Sequence, residues 1–400
     1  MTPGFLRTAV ILGLITAVGP FAIDMYLPAL PTIAADLGAS TAATQMTLMA
    51  FFVAFGVCQI VYGPASDMVG RKPPLYFGLG LFMLGAAGSA LAPSIGWLIA
   101  FRALQGVGAA AVMVIPRAII RDLHTGVEGT RLMALVMLVL SVSPILAPVT
   151  GSLIIVPFGW RAVFVAVLVA GGVGLVLLAA FLPETHLPAN RVRVSLGSLG
   201  AGFGQLLRDP RFLGLTFIAG FGFASFLTFL ASSSFVYIEH FGLSPTAFGV
   251  AFSVNAVAFI GASQFAAGLA ARYGLARLVT TSVAAYAGVL AVLLALTLAG
   301  VDSLPVLMVL LFVGFAFMGF VIPTTMVMAL DEHGPIAGMA SALGGTLQMV
   351  TGAIMIVVAS GFFDGTVLPM VAIMTLCAAG ALALTLATLR ERRVASQPAE

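Results

Sequence analysis

The stretch GPASDMVGRKPPL, Gly63 to Leu75, separates two long apolar runs and gathers Asp67, Arg71 and Lys72 within a few residues. Its glycines, Gly63 and Gly70, permit a tight turn between two antiparallel helices. Asp67 beside Arg71 and Lys72 offers ion pairing that a conformational switch can make or break. Basic residues at a cytoplasmic membrane edge account for Arg71 and Lys72, but not for Asp67.

Outward from this stretch the chain is apolar almost throughout. It has 61% hydrophobic and 8% charged residues and a mean hydropathy of +1.17, more apolar surface than a water-soluble core can hide. Twelve runs long enough to cross about 30 Å of hydrocarbon are read at 5–26, 42–62, 74–93, 95–120, 131–155, 160–182, 211–237, 245–271, 277–299, 303–329, 336–361 and 368–389. Arg7, Arg71, Lys72, Arg121, Arg131, Arg191, Arg193, Arg208, Arg211, Arg272, Arg277 and the cluster Arg390, Arg392 and Arg393 all fall in alternate connections or at the ends. The opposite connections carry Asp36, Glu239, Asp302 and Asp364, with Arg161 as the lone basic residue. The positive-inside rule then places both termini in the cytoplasm, in agreement with an even number of crossings. The first run leads into a charged, proline-rich segment without a persuasive cleavage site, so it reads as a retained helix. Cys58 and Cys377 lie in apolar spans of opposite halves and read as small packing residues, not as a disulfide.

The longest polar interruption, Pro183 to Arg211, reads as a basic cytoplasmic linker. The expected organisation is a six-helix bundle at 1–182, a linker at 183–210, and a second six-helix bundle with a short tail at 211–400. An offset of 205 residues aligns Gly56 with Gly261, Gln59 with Gln264, Gly63 with Gly268 and Ala65 with Ala270, and Pro116 matches Pro323 at 207. These coincidences support a parallel repeat, the plan of a rocker-type transporter.

Asp24 sits inside the first span, in ILGLITAVGPFAIDMYLPALP, Ile11 to Pro31, 17 residues beyond Arg7, or roughly 26 Å of helix. A carboxylate there is costly unless protonated, paired or facing water, which makes it a candidate proton carrier. The alternative is an interfacial aspartate capping an extracellular turn, since Pro28 and Pro31 follow closely. Arg102 lies in the fourth span, 19 residues from Arg121, or about 28 Å, and so at a height similar to that of Asp24. Its guanidinium is always charged and needs a partner or water; snorkelling to the outer interface is the alternative.

Gly63 to Leu75 resembles the loop signature GxLADRxGRRxxL of the major facilitator superfamily, matching at Gly63, Asp67, Gly70, Arg71, Lys72 and Leu75, with Ala65 and Met68 departing from it. LIAFRALQGVGAAAVMVIPRAIIRD, Leu98 to Asp122, looks like the LxxxRxxQGxGAA signature of proton-coupled members. SVSPILAPVTGSLI, with Pro144, Pro148 and Gly151, resembles the antiporter signature of drug exporters. FAIDMYLPALP, PRAIIRDL and SSFVYIEHFGLSP, the last from Ser233 to Pro245, resemble the bicyclomycin and chloramphenicol resistance branch of drug:proton antiporters.

The resemblance implies an all-α membrane protein with the major facilitator fold, two six-helix bundles related by a pseudo-twofold axis. It implies efflux of lipophilic small molecules from a bacterial inner membrane in exchange for protons, with a role in antibiotic resistance. Asp24 and Arg102 are the proton-coupling pair, and Gly63, Asp67, Gly70, Arg71, Lys72, Pro144, Pro148 and Gly151 form the conformational switch. Phe21, Gln105, Met113, Arg117, Phe221, Asn255 and Phe320 are the candidate cavity residues; Arg117, one turn from Arg121, is also readable as a cytoplasmic-edge residue. The four histidines, His124, His186, His240 and His333, show no metal-ligand spacing, and no phosphate-cradling GxxxxGKS string occurs. No cofactor, metal, nucleic acid or enzymatic activity is expected, and the protein reads as a monomer among membrane lipids. A proton-coupled importer or facilitator of a metabolite is the competing function.

Overall fold

A computed structural model describes residues 3–124, 126–188, 191 and 196–395. Arg193 and the side chains of Arg390, Arg392 and Arg393 lie outside what it describes. The described residues form fourteen α-helices and no strand: α1 Pro3–Asp24, α2 Leu30–Asp36, α3 Thr41–Val69, α4 Lys72–Ala90, α5 Ile95–Leu123, α6 Gly126–Phe158, α7 Arg161–Phe181, α8 Leu196–Leu207, α9 Pro210–Ser234, α10 Pro245–Tyr273, α11 Leu275–Leu298, α12 Leu304–Asp331, α13 Ala337–Phe362 and α14 Val367–Ala395.

The helix starts follow local chemistry. Ser40 and Ser94 cap α3 and α5 by accepting from Ala43 N at 3.2 Å and Trp97 N at 3.4 Å. Asp209 caps α9, accepting from Arg211 N at 2.8 Å and Phe212 N at 3.2 Å, while Pro210 fills the first position, where an N–H has no helical partner. α9 ends in a wide π turn, Phe235–His240, closed by a bond from Phe241 N to Val236 O at 3.1 Å. The string SSFVYIEHFGLSP contains this turn.

The stretch quoted first makes a tighter connection than expected. Gly63 stays inside α3, and the turn to α4 rests on Gly70 alone, at φ 101°. One residue in a conformation open mainly to glycine suffices to reverse the chain. Gly274, at φ 85°, turns α10 into α11 in the same way, 204 residues further on, which adds to the repeat read from sequence.

Among the described residues, eleven helical segments are long and apolar enough to cross a membrane. The remaining run of the twelve is α4. At 19 residues it spans about 28 Å, but it opens on Lys-Pro-Pro and is rich in glycine. Its small residues serve packing. A Cβ at Gly78 would lie 2.2 Å from Ala111 Cβ, and one at Gly85 2.6 Å from Gln105 N, both on α5. Gly108 of α5 answers them, since a Cβ there would meet Gly78 O at 2.4 Å. Close backbone approach of this kind is how helices associate where lipid offers no hydrophobic drive.

Two compact units emerge, Met1–Leu196 with Leu243–Ser253, and Gly197–Gly242 with Val254–Glu400. The start of α10 belongs to the first unit because Ser253 Oγ donates to Ile145 O of α6 at 2.6 Å. The expected linker carries a helix, α8, which belongs to the second unit. There α9 packs against α12, α13 and α14.

Candidate functional site

Asp24 is the last residue of α1. Beyond it Pro28 and Pro31 stop the helix from continuing, and the chain passes through a short 3₁₀ turn, Leu27–Ala29, into α2. Asp24 is 5% exposed and makes no ion pair among the described residues, so it is not a surface cap.

Arg102 of α5 is fully buried, 0% exposed, and does not reach for an interface. Its Nη1 donates to Gln105 Oε1 at 2.6 Å and to Ala22 O at 3.2 Å. The guanidinium lies 4.5 Å from the ring centre of Phe51, 4.8 Å from that of Tyr26 and 5.9 Å from that of Phe164. Such aromatic faces stabilise a desolvated cation. Nε and Nη2 have no hydrogen-bond partner among the described residues. Tyr26 is held in turn by Thr47, its hydroxyl 2.8 Å from Thr47 Oγ1. Arg102 thus meets the chain at the level of Asp24: it contacts residues 22 and 26, on either side of Asp24 in the sequence, and makes no ion pair with its carboxyl. Tyr26, Phe51 and Phe164 were not singled out in the sequence, although Tyr26 stands in FAIDMYLPALP.

Gly151 of α6 packs against the same turn. A Cβ on it would stand 2.2 Å from Met25 O. Pro144 and Pro148 lie inside the same helix, one to two turns before the glycine that meets the backbone following Asp24.

At the basic end of the first unit, Arg71 is the hub. Its Nε and Nη2 grip both oxygens of Asp122, at 2.7 and 3.1 Å, and its Nη1 donates to Ser66 Oγ at 2.8 Å and to Asp67. Burial opposes the charge on Arg71, but Asp122 and Asp67 overcome it and raise its pKa. Glu184 caps α4, accepting from Arg71 N at 2.9 Å and Lys72 N at 3.0 Å, while Lys72 Nζ donates to Leu182 O at 2.7 Å. Burial would raise the Glu184 pKa, but backbone N–H groups of His186, Lys72, Arg71 and Thr185 hold it below the ordinary 4.5. Asp122 and Glu184 are additions to the switch residues named from sequence; the usable signal was an acid two residues beyond each of the runs 95–120 and 160–182.

Glu184→Gln keeps an acceptor and removes the charge, so it should lower stability by about 0.5–1 kcal/mol at neutral pH. The charge contribution is complete above the unfolded pKa of Glu184 and is lost as pH falls through its lowered folded value, so wild type and variant should converge in acid. Thermal unfolding of both in detergent, from about pH 7 to about pH 3, checks this.

The candidate cavity residues divide between the units. In the first, Gln105 is committed to Arg102, Phe21 is partly buried, and Met113 Sδ accepts from Arg117 Nη2 at 3.6 Å. In the second, Phe221 packs against Ala224, Met355, Ala359, Ile373 and Cys377, Asn255 is buried, and Phe320 is partly buried.

A family model for the Major Facilitator Superfamily matches residues 12–356. The chain is 35% identical over 376 residues to an uncharacterised MFS-type transporter, YdgK, of Bacillus subtilis, with 92% of both chains covered. It is 31% identical over 374 residues to a bicyclomycin resistance protein homolog of Haemophilus influenzae, again with 92% of each covered. Among solved structures, a POT family transporter in complex with a thioalcohol conjugated peptide matches with a TM-score of 0.77 at 13% identity, over 98% of this chain and 97% of that one. The last likeness concerns the fold alone. With the family match running across both units and the helices built to cross a bilayer, the chain is a multi-pass membrane transporter, not an enzyme, and belongs to the Major Facilitator Superfamily.

Proposed function

We propose that this transporter exports lipophilic small molecules across a bacterial inner membrane in exchange for protons, as a monomer with both termini in the cytoplasm. Asp24 carries the proton and Arg102 governs when it leaves. The observation behind this reading is a buried carboxyl in the same short stretch of chain, Ala22 to Tyr26, that an uncompensated guanidinium contacts. Among the described residues, two nitrogens of Arg102, Nε and Nη2, have no hydrogen-bond partner. Turned toward Asp24, they stabilise the carboxylate and the proton departs; turned away, with Nη1 held by Gln105 and Ala22, they leave the carboxyl to take one up. A bound cargo that presses on the Tyr26 and Phe51 rings shifts this balance, so cargo and proton compete without a nucleotide. The resemblance to a bicyclomycin resistance protein homolog favours an antibiotic-like cargo.

Proteoliposomes with an imposed pH gradient and labelled bicyclomycin test the direction. Antiport predicts cargo accumulating on the acidic side. Accumulation on the alkaline side would establish the competing importer, and flux indifferent to the gradient would remove proton coupling. Susceptibility profiling in an efflux-deficient bacterium then defines the range of cargo.

A further inference from the structure

The second unit contains a cleft of about 1470 Å³ that plays no part in the proposed exchange. Its walls are the starts of α9 and α11 and the ends of α12 and α14, all at the basic end of the unit. Phe217 lines it seven residues into α9, so the cleft extends roughly 10 Å below the helix ends. Leu213, Leu384 and Leu386 continue the apolar wall.

The mouth is charged in a particular way. Arg211 and Glu332 pair at 2.6 Å and neutralise each other. Arg277 and Asp331 also line the cleft, and neither side chain forms an ion pair or hydrogen bond among the described residues. Beside them, across the Gly274 turn, Arg272 stacks over exposed Tyr273 at 5.2 Å. Tyrosine and arginine at a helix end mark headgroup depth in a membrane. An apolar slot thus opens at headgroup level between one unpaired cation and one unpaired anion.

We propose that this cleft binds a zwitterionic aminophospholipid, its phosphate on Arg277, its ammonium on Asp331, and the upper part of an acyl chain against Leu213, Phe217 and Leu384. The guanidinium offers paired N–H donors to phosphate oxygens, and the carboxylate accepts from the ammonium. A purely anionic lipid would leave its phosphate facing Asp331 without compensation. The site is independent of the Asp24 reading and holds whether or not that residue carries a proton.

The full-length protein in nanodiscs of equal phosphatidylethanolamine and phosphatidylglycerol, released for native mass spectrometry, provides the test. Phosphatidylethanolamine should be retained in preference. Arg277→Gln and Asp331→Asn should each reduce its retention about tenfold, the loss of one charge-assisted contact. Phosphatidylcholine, whose methylated ammonium has no N–H to donate, should be retained less by the unaltered protein, which requires no variant to fold. Ala276→Trp, filling the mouth with both charges in place, should also displace the lipid. Equal retention in wild type and the charge variants overturns the proposal. Preference for phosphatidylglycerol overturns it too, as the result an anionic-lipid site would give.

Discussion

Replacing Asp24 with asparagine should abolish uphill, pH-driven export while leaving downhill cargo flux within a few-fold of wild type. Asparagine matches the carboxyl in size and retains hydrogen-bonding capacity, but it has no proton to exchange. One pH unit across the membrane supplies about 1.4 kcal/mol per proton, enough for roughly tenfold accumulation of a neutral cargo in one-for-one exchange. The variant should show none of it at any gradient. Cargo-driven proton release from purified protein in weakly buffered detergent gives the direct reading. If Asp24→Asn released protons on cargo addition as wild type does, another group would carry the proton and the coupling scheme would be wrong.

Gly151→Val should be the most damaging substitution outside the proton site. Its Cβ would sit 2.2 Å from Met25 O, a backbone atom that cannot swing aside. Separation to ordinary contact requires movement of more than 1 Å, and overpacking of this kind costs about 1–3 kcal/mol before the two added methyls find room. The displaced backbone is the one that follows Asp24, so transport should fail even in the fraction that folds. Gly80→Val is the control, since its Cβ would meet nothing within 4 Å. Unfolding temperature and counterflow should drop steeply for Gly151→Val and little for Gly80→Val. Equal losses in both would mean that helix propensity, not the α6 contact, sets the cost.

Several of these features were legible in the sequence because depth along a helix is a matter of counting. Arg7 to Asp24 and Arg121 to Arg102 gave similar heights, and Arg102 is indeed held by the residues flanking Asp24. The loop signature led to the superfamily, which the family match bears out. Partners lying far apart in the chain were not legible. Glu184 bonds to residues more than a hundred positions earlier, and no local spacing specifies that approach, so a stretch read as linker turned out to clasp the start of α4. The aromatic faces around Arg102 were hidden for a related reason. In a chain with 30 phenylalanines, Phe51 and Phe164 are distinguished only by what they touch. α4 was legible as the run at 74–93, although the glycines that serve its neighbour dilute its apolar content.

The π turn at the end of α9 bears on which insertions and deletions this chain can tolerate. A π turn holds one residue more than the α-helical ladder needs, and Phe235–His240 is where α9 stores it. Losing a residue anywhere between Pro210 and Ser234 would rotate everything beyond it by about 100° and turn a buried face outward. Losing one within the π turn merely closes it into ordinary helix, with Phe241 and Gly242 taking up the change in the connection that follows. Length variation among related chains should therefore concentrate at this turn, where a codon can be lost without repacking α9.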